Sequence, residues 1–303
     1  MKLLTVLFLC LLSIPTFVSV AHADDQRAQE ILKQAREAVG GAERLQKIAS
    51  LHINGQYRRV FGERQMGGER EISIELPNKY LVEDAMNMGG LSTSMINTRA
   101  LNGDHAWSGS SGGGGMVIRF GGPAGQQATP EQIEAGLRRA FQAEFARYLL
   151  AITLASPASL TVDYKYAGES DVDGAQADVL DVSGPDKFFV RIFFDKQSHL
   201  PLLLNYRGPK PRIMTMTRSA GGAAKPEDVQ KARDEAQKKM EAENPGVPEE
   251  VDFFIRLSDH KKVDGVMLPF KLTFLTESEV SEEFEISKYQ LNPQFKADKF
   301  EKH

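Results

Sequence analysis

Val251-Asp252-Phe253-Phe254-Ile255-Arg256-Leu257 and Leu268-Pro269-Phe270-Lys271-Leu272-Thr273-Phe274, joined across Asp264-Gly265, decide the fold. Val251, Phe253, Ile255 and Leu257 recur at every second position, and so do Leu268, Phe270, Leu272 and Phe274. Successive side chains of an extended strand point to opposite faces, so a period of two gathers the apolar side chains on one face. Asp-Gly accepts the positive φ values of a two-residue hairpin turn. The stretch therefore reads as two antiparallel strands sharing one apolar face.

The same pattern continues in both directions. Phe284 and Ile286 alternate downstream, and the phase slips before Tyr289 and Leu291, which predicts a β-bulge. Upstream, Phe188, Val190, Ile192 and Phe194 form an apolar face, and Leu202, Leu204 and Tyr206 follow a turn around 197–201. Val162, Tyr164 and Tyr166 alternate before a hairpin at Val172-Asp173-Gly174. Nearer the start, Leu51, Ile53 and Tyr57 and then Ile72, Ile74 and Leu76 alternate, and 80–88 and 95–107 continue the sheet.

Two segments have a helical period instead. In 24–39 the apolar residues Ile31, Leu32, Ala35, Ala38 and Val39 share a face, Gly40-Gly41 ends the helix, and 42–49 forms a short second one. Thr129, Pro130 and Gln132 make a capping box with proline in the first turn. Ile133, Leu137, Phe141, Phe145, Tyr148, Leu149 and Ile152 then form a broad apolar stripe that Pro157 closes. The sum is an α+β fold: a large curved antiparallel sheet, a half-barrel of about 10–11 strands, with helices covering its concave face. A sheet closed imperfectly by helices leaves an apolar cavity where a small apolar ligand would bind.

Residues 208–250 interrupt the β pattern with Pro, Gly and charge. The Glu227–Lys231, Asp234–Lys238 and Glu235–Lys239 spacings support a polar helix there. The segment reads as an exposed, charged insertion in a single domain spanning 24–303.

The first residues place that domain. Met1-Lys2 is followed by an apolar run to Val20 and by the small-x-small site Ala21-His22-Ala23, the pattern of a secretory signal peptide over 1–23 cleaved after Ala23. The rival is a lipoprotein start at Cys10, but Leu7-Phe8-Leu9 lacks the small residues that precede a lipidated cysteine. The expected location is the periplasm, with no transmembrane span in the mature chain. Cys10 is the only cysteine, so the mature chain has no disulfide, thiol nucleophile or sulfur ligand for a metal. Lys and Arg number 37 against 41 Asp and Glu, a net charge of −4, and no basic excess points to nucleic acid.

The order of elements resembles the LolA/LolB-like lipoprotein-carrier superfamily, the outer-membrane lipoprotein-sorting proteins. The resemblance rests on several stretches beyond the leader. They include Val39-Gly40-Gly41 at the helix end, Leu45 and Ile48-Ala49-Ser50-Leu51 entering the first strand, and Leu76-Pro77-Asn78-Lys79-Tyr80. Further ones are Leu101-Asn102-Gly103-Asp104-His105-Ala106-Trp107, the turns at 195–201 and 263–269, and Tyr289-Gln290-Leu291-Asn292-Pro293 with Phe300. It covers most of 24–300 outside the insertion. It implies an antiparallel half-barrel whose concave face holds acyl chains under a helical lid. The partner it implies is a lipid or acyl chain, or an outer-membrane lipoprotein, with peripheral contact to the envelope. Arg58 and Arg59 are both positioned as the arginine that locks the lid in that family, and the sequence leaves the choice open.

Candidate cavity-lining residues are Met86, Met88, Phe141, Phe145, Phe188, Val190, Ile192, Met214 and Met216. Methionine is flexible and polarizable and suits a surface that accepts varied chains; ordinary core filling explains the same residues. Catalytic and metal sites are not expected, and no cofactor is. Gly112–Gly115 has no following Gly-Lys-Ser/Thr and reads as a flexible flap. No two histidines stand at metal-binding helical spacing, and His105 beside Asp104 reads as a turn residue. Asp171 and Asp173 before Gly174 lack the later ligands of a calcium loop. The leading expectation is a non-enzymatic periplasmic binding protein or carrier for a lipid or acylated ligand. The alternatives are an envelope sensing or assembly module that uses 208–250 as its contact element, and a hydrolase with an unrecognised carboxylate pair.

Overall fold

The structure, a computed structural model, describes residues 20–61, 64–87, 94–111, 129–158, 160–210 and 249–302. Twelve antiparallel strands form one open sheet. They are β1 (Ser50–Phe61), β2 (Arg64–Glu75), β3 (Lys79–Asn87), β4 (Ser94–Asn102), β5 (His105–Ser111) and β6 (Asp163–Val172). They continue with β7 (Ala175–Ser183), β8 (Phe189–Asp195), β9 (Pro201–Pro209), β10 (Glu250–Val263), β11 (Val266–Thr276) and β12 (Glu279–Leu291). The helices are α1 (Val20–Val39), α2 (Ala42–Gln46) and α3 (Pro130–Thr153).

The lateral order β5-β4-β3-β2-β1-β12-β11-β10-β9-β8-β7-β6 shows two meanders meeting at the β1–β12 pair. One runs outward from β1 to the edge strand β5. The other begins at the opposite edge, β6, and returns to β12. Only α3 and its flanking segments connect the two edges, so α3 has to cross a face of the sheet. That face is the apolar one, because a sheet with a single apolar face must bury it against another element.

The expected fold class is present, with a larger sheet than the sequence suggested. The run 95–107 is two strands folded at Asn102-Gly103-Asp104, not one, and Gly103 takes φ 62° there. The hairpins at Asp173-Gly174 and Asp264-Gly265 have positive φ at both central residues, as the paired Asp-Gly turns require. The phase slip in β12 is a bulge: Asn54 pairs with Lys288 and Gly55 with Ile286, leaving Ser287 unmatched. Gly55 is needed at that step, since a Cβ there would lie 2.2 Å from the Glu285 carbonyl oxygen.

Thr129 caps α3 as expected, its hydroxyl accepting from the Gln132 amide at 3.3 Å while the Gln132 side chain accepts from the Thr129 amide at 2.9 Å. The helix stops at Thr153, earlier than Pro157, because Leu154 adopts the left-handed conformation at φ 54°. Ile133 departs from the expected stripe and is 49% exposed. Around it, the first turns of α3 meet polar groups of the β4–β5 turn: Glu134 pairs with His105, and Arg138 donates to the Asp104 carbonyl.

One hydrophobic core fills the space between the helices and the sheet. Ala28, Ile31, Leu32, Ala35 and Val39 of α1 and Phe141, Phe145, Tyr148, Leu149 and Ile152 of α3 are buried against it. Fully burying a side chain such as Phe145 contributes roughly 1.5–3 kcal/mol. On the outer face, the chain after β12 folds back. Phe300 is buried with Leu81 and Ala100, packed by Trp107 and Phe295, in a separate small cluster.

Residues 1–19 of the expected leader lie outside the described residues, and 20–23 form the first turn of α1. The expected insertion at 208–250 is narrower at both ends: Gly208 and Pro209 belong to β9 and Glu250 to β10. The Lys210 amide donates to the Glu249 carbonyl at 2.8 Å, and 211–248 lie outside the described residues. The Gly112–Gly115 run lies outside them too.

Candidate functional site

Strand parity assigns side chains to the helix-covered face. Tyr57 and Arg59 of β1 share it with Arg70, Ile72 and Ile74 of β2 and with Tyr80, Val82, Asp84 and Met86 of β3. Met95, Arg99 and Leu101 of β4 and Glu282, Phe284 and Ile286 of β12 join them. Five of these apolar-face positions, on five adjacent strands, are charged: 282, 59, 70, 84 and 99. They assemble into a network that composition and periodicity did not foretell.

Arg70 is its centre. Nε donates to Asp84 Oδ1 at 2.6 Å and Nη2 to Asp84 Oδ2 at 3.1 Å. Nη2 also donates to Glu282 Oε2 at 3.2 Å, and Nη1 to Oε1 of the same carboxylate. Arg59 bridges the same two carboxylates, with Nη2 3.0 Å from Asp84 Oδ2 and Nε on Glu282. Arg99 donates to Asp84 at 3.2 Å and to Glu144 of α3 at 3.2 Å, and the Tyr80 hydroxyl donates to Glu144 at 3.0 Å. The rings of Tyr57 and Phe284 lie under the Arg70 guanidinium at 4.8 and 5.2 Å.

Three arginines thus face three carboxylates, and the site is neutral overall. The electrostatics follow from that balance. Burial acts to raise the Asp84 pKa, but Arg70, Arg99 and Arg59 hold the carboxyl well below the usual carboxylate range. Glu282 behaves alike: burial opposes ionisation, and Arg70 and Arg59 prevail. Burial, then Asp84, pushes the Tyr57 phenol up to about 12. These groups keep one protonation state through the neutral range. The arrangement ties β12, β1, β2, β3 and β4 together and fastens α3 to them through Glu144. Its arginines and carboxylates are paired with one another, while the buried Tyr57 hydroxyl beside them has no hydrogen-bond partner among the described residues.

Parity was the signal that could have found it. Arg70 sits between Glu69 and Glu71 in a run that looks solvated, yet it shares its face with Ile72 and Ile74. Parity also separates Arg58 from Arg59. Arg59 joins the network under α3, while Arg58 is on the outer face with Glu283 and Gln65.

Met86, Phe141, Phe145, Phe188, Val190 and Ile192, expected at a ligand cavity, are all buried in the single core cluster. Met88, Met214 and Met216 lie outside the described residues.

The other half of the helix-covered face differs. Tyr206 of β9 is cross-strand from Phe253 of β10, and Ile255 of β10 is cross-strand from Leu204 and Phe274. Leu204 and Ile255 are buried, but Tyr206, Phe253 and Phe274 are only partly so. Tyr206 and Phe253 stack at 5.2 Å and 13°. Across this aromatic floor stands Arg147 of α3, its guanidinium carbon 3.7 Å from the Tyr206 ring centroid. The partly covered strip of this face beside α3, or trough, is marked by these aromatic rings and reaches the Glu282 network on β12. A separate cleft of about 350 Å³ opens past the end of α3, lined by Arg36, Ser156, Pro157, Leu160 and Tyr164 among others. None of its lining belongs to the network or the trough.

No helix among the described residues is long and apolar enough to cross a membrane, a statement that leaves β-barrels aside.

No family model matches the chain, and no curated protein matches it. Solved structures similar to it include a LolA superfamily protein from Nitrosomonas europaea, at 11% identity and a TM-score of 0.44 over 91% of this chain and 97% of that one. Another is a DUF1329 family protein from Desulfovibrio piger, at 10% identity and a TM-score of 0.45 over 90% of this chain and 97% of that one. Likenesses at this level carry no argument about the site, and the functional reading rests on this chain's own residues.

Proposed function

We propose that this chain is a periplasmic, non-enzymatic binding protein or carrier for a lipid or acylated ligand held between α3 and the helix-covered face of the sheet. One observation carries the reading: the two halves of that face are packed differently. Over β1–β4 the helix seals the face, and Ile72, Ile74, Tyr80 and Val82 have no exposed surface. Over β9–β11 three aromatic rings on the same face stay partly buried beside the helix. Pockets for apolar ligands are concave, mostly apolar and edged by few polar groups, and the trough has that composition. The small-x-small site ending at Ala23 supports export to the periplasm.

Met86, Phe141, Phe145, Phe188, Val190 and Ile192 form the deep wall in this reading. A long acyl chain reaches them by displacing part of α3, whose polar hold on the β3–β4 side is Glu144 with Tyr80 and Arg99. Met88, Met214 and Met216 are proposed to line the same ligand from the neighbouring segments.

The test is native mass spectrometry, with lipid extraction, on protein purified from the periplasm without detergent. A discrete added mass matching an acyl chain or phospholipid is expected. A clean apo mass, together with failure to bind a fluorescent fatty acid, overturns the proposal.

A further inference from the structure

Arg147 has no paired anion among the described residues. Among the described residues, three arginines bury an Nε that has no hydrogen-bond partner: Arg99, Arg147 and Arg256. Arg99 holds Asp84 and Glu144 through its terminal nitrogens, and Arg256 holds Asp173 at 2.9 Å. Arg147 makes no hydrogen bond and no ion pair with any described residue; its one polar interaction is the stack on Tyr206. Burial lowers its pKa, with Tyr206 and Glu144 opposing, yet a guanidinium stays charged at any ordinary pH.

Arg147 as a whole is partly exposed, but its Nε is fully buried, and a buried guanidinium donor is costly when no acceptor replaces the water. Cation–π contact recovers only part of that, about 2 kcal/mol when desolvated. The stack does something else as well. It fixes the plane of the guanidinium on the wall of the trough and leaves the donors along its edge uncommitted. A fork held in that way matches a carboxylate or phosphate through two parallel hydrogen bonds.

We propose that Arg147, oriented by Tyr206, binds the anionic head of an amphiphilic ligand whose hydrocarbon chain lies on the partly exposed rings of Phe253 and Phe274. This rests on the proposed function above and narrows it from apolar ligands to acidic ones. The head is a carboxylate or a phosphate monoester or diester, groups that share the pair of anionic oxygens the fork requires. Glu144, one turn away on α3, and Glu282, beyond Phe274 on β12, keep the surrounding field from attracting anions at large. The selectivity is therefore for an anion that brings its own chain into the trough.

The test pairs ligands that differ only in the head, measured by displacement of a fluorescent fatty acid from the full mature chain. Hexadecanoic acid is compared with hexadecanol, and a monoacylglycerol phosphate with the uncharged monoacylglycerol. Each acidic ligand is expected to bind at least about tenfold more tightly than its neutral partner. Arg147→Gln is expected to lose that preference while still binding hexadecanol, which also shows that the variant is folded, and Arg147→Lys to keep part of it. A preference in one pair alone still supports the proposal and assigns the head. Equal binding of acid and alcohol by the natural chain overturns it, as does a preference that survives in Arg147→Gln. Displacement by inorganic phosphate alone, as strong as by the acylated phosphate, also overturns it in favour of a free-anion site. Binding of none of these ligands defeats the proposed function itself, so the two failures are distinguishable.

Discussion

Arg70 grips Asp84 through two parallel hydrogen bonds, 2.6 and 3.1 Å long, and neither side chain has more than 2% of its surface exposed. A bidentate guanidinium–carboxylate pair is the strongest of the side-chain ion pairs, yet its desolvation offsets much of the attraction. Removing one partner alone leaves the other charge buried. Asp84→Leu or Arg70→Met alone is expected to cost about 3–5 kcal/mol of unfolding free energy. Replacing both, Arg70→Met with Asp84→Leu, leaves Arg59 and Arg99 facing Glu282 and Glu144, still in balance. Urea unfolding of the three variants should give a double variant well short of the sum of the singles. Additive costs would show that the two residues act independently.

Acid sensitivity should come in two steps. His260 and His52 have pKa values below their ordinary 6.5, chiefly because burial disfavours the charged ring; Asp259 and Glu71 respectively oppose. The folded state therefore binds fewer protons than the unfolded chain below pH 6.5, and stability falls as the pH drops through that region. Asp84 and Glu282 are depressed from 3.8 and 4.5, so their contribution is complete above those values and is lost as the pH falls below them. The midpoint of thermal unfolding, followed from pH 8 to pH 3 as about half-unit steps, should show both declines. His260→Gln should flatten the upper one and leave the lower one in place. An unchanged upper decline would remove His260 from the account.

Most of the sheet was legible because each strand needs only one apolar face, and period-two runs such as Phe188–Phe194 announce it directly. The capping box at Thr129 and the Asp-Gly turns were equally local. What the sequence hid was long-range. Arg59, Arg70, Asp84 and Glu282 each have a charged residue next to them in sequence, and only the register of four strands shows that they share one buried face. Arg147 lies outside the apolar stripe of α3, where a charge reads as an ordinary solvated side chain until Tyr206, 59 positions on, is found beneath it. Ile133 failed in the opposite sense. The stripe continues through the first turn of α3, but there the helix meets the polar groups of Asp104 and His105.

The bulge in β12 depends on a missing side chain. At Gly55 a Cβ would stand 2.2 Å from the Glu285 carbonyl oxygen, 2.8 Å from the Phe284 ring and 2.9 Å from the Ile286 Cα. Two of these are backbone atoms of the partner strand and have little freedom to move. Gly55→Ala is expected to destabilise the fold by more than about 2 kcal/mol, although alanine is otherwise the better strand residue. Loss of the Asn54–Lys288 pairing should accompany it, read as faster exchange of the amides of 286–289. A neutral effect on both would mean that β1 and β12 can re-register around the added methyl.

The tail after β12 should be part of the stable unit and not an appendage. Phe300 is 1% exposed and meets Phe295 edge-on at 5.5 Å, with Lys79 above its ring at 5.6 Å. Polar contacts fix the same segment: Lys299 pairs with Glu83 at 2.6 Å, Trp107 donates to the Phe300 carbonyl at 3.4 Å, and the Asn102 amide donates to Glu301 at 3.0 Å. The tail thereby clamps β3, β4 and β5 from the outer face, the same strands that Glu144 fastens to α3 from the inner one. Phe300→Ala is expected to cost about 3–5 kcal/mol through the cavity it leaves. Because the two faces of β3 and β4 are separate layers, the change should leave acyl-chain affinity within about twofold at temperatures where the variant stays folded. Trp107 sits beside the ring, so its fluorescence reports the event directly. A red shift on unfolding at a lower urea midpoint is the expected result, and an unshifted midpoint would show that the tail is docked without contributing to stability.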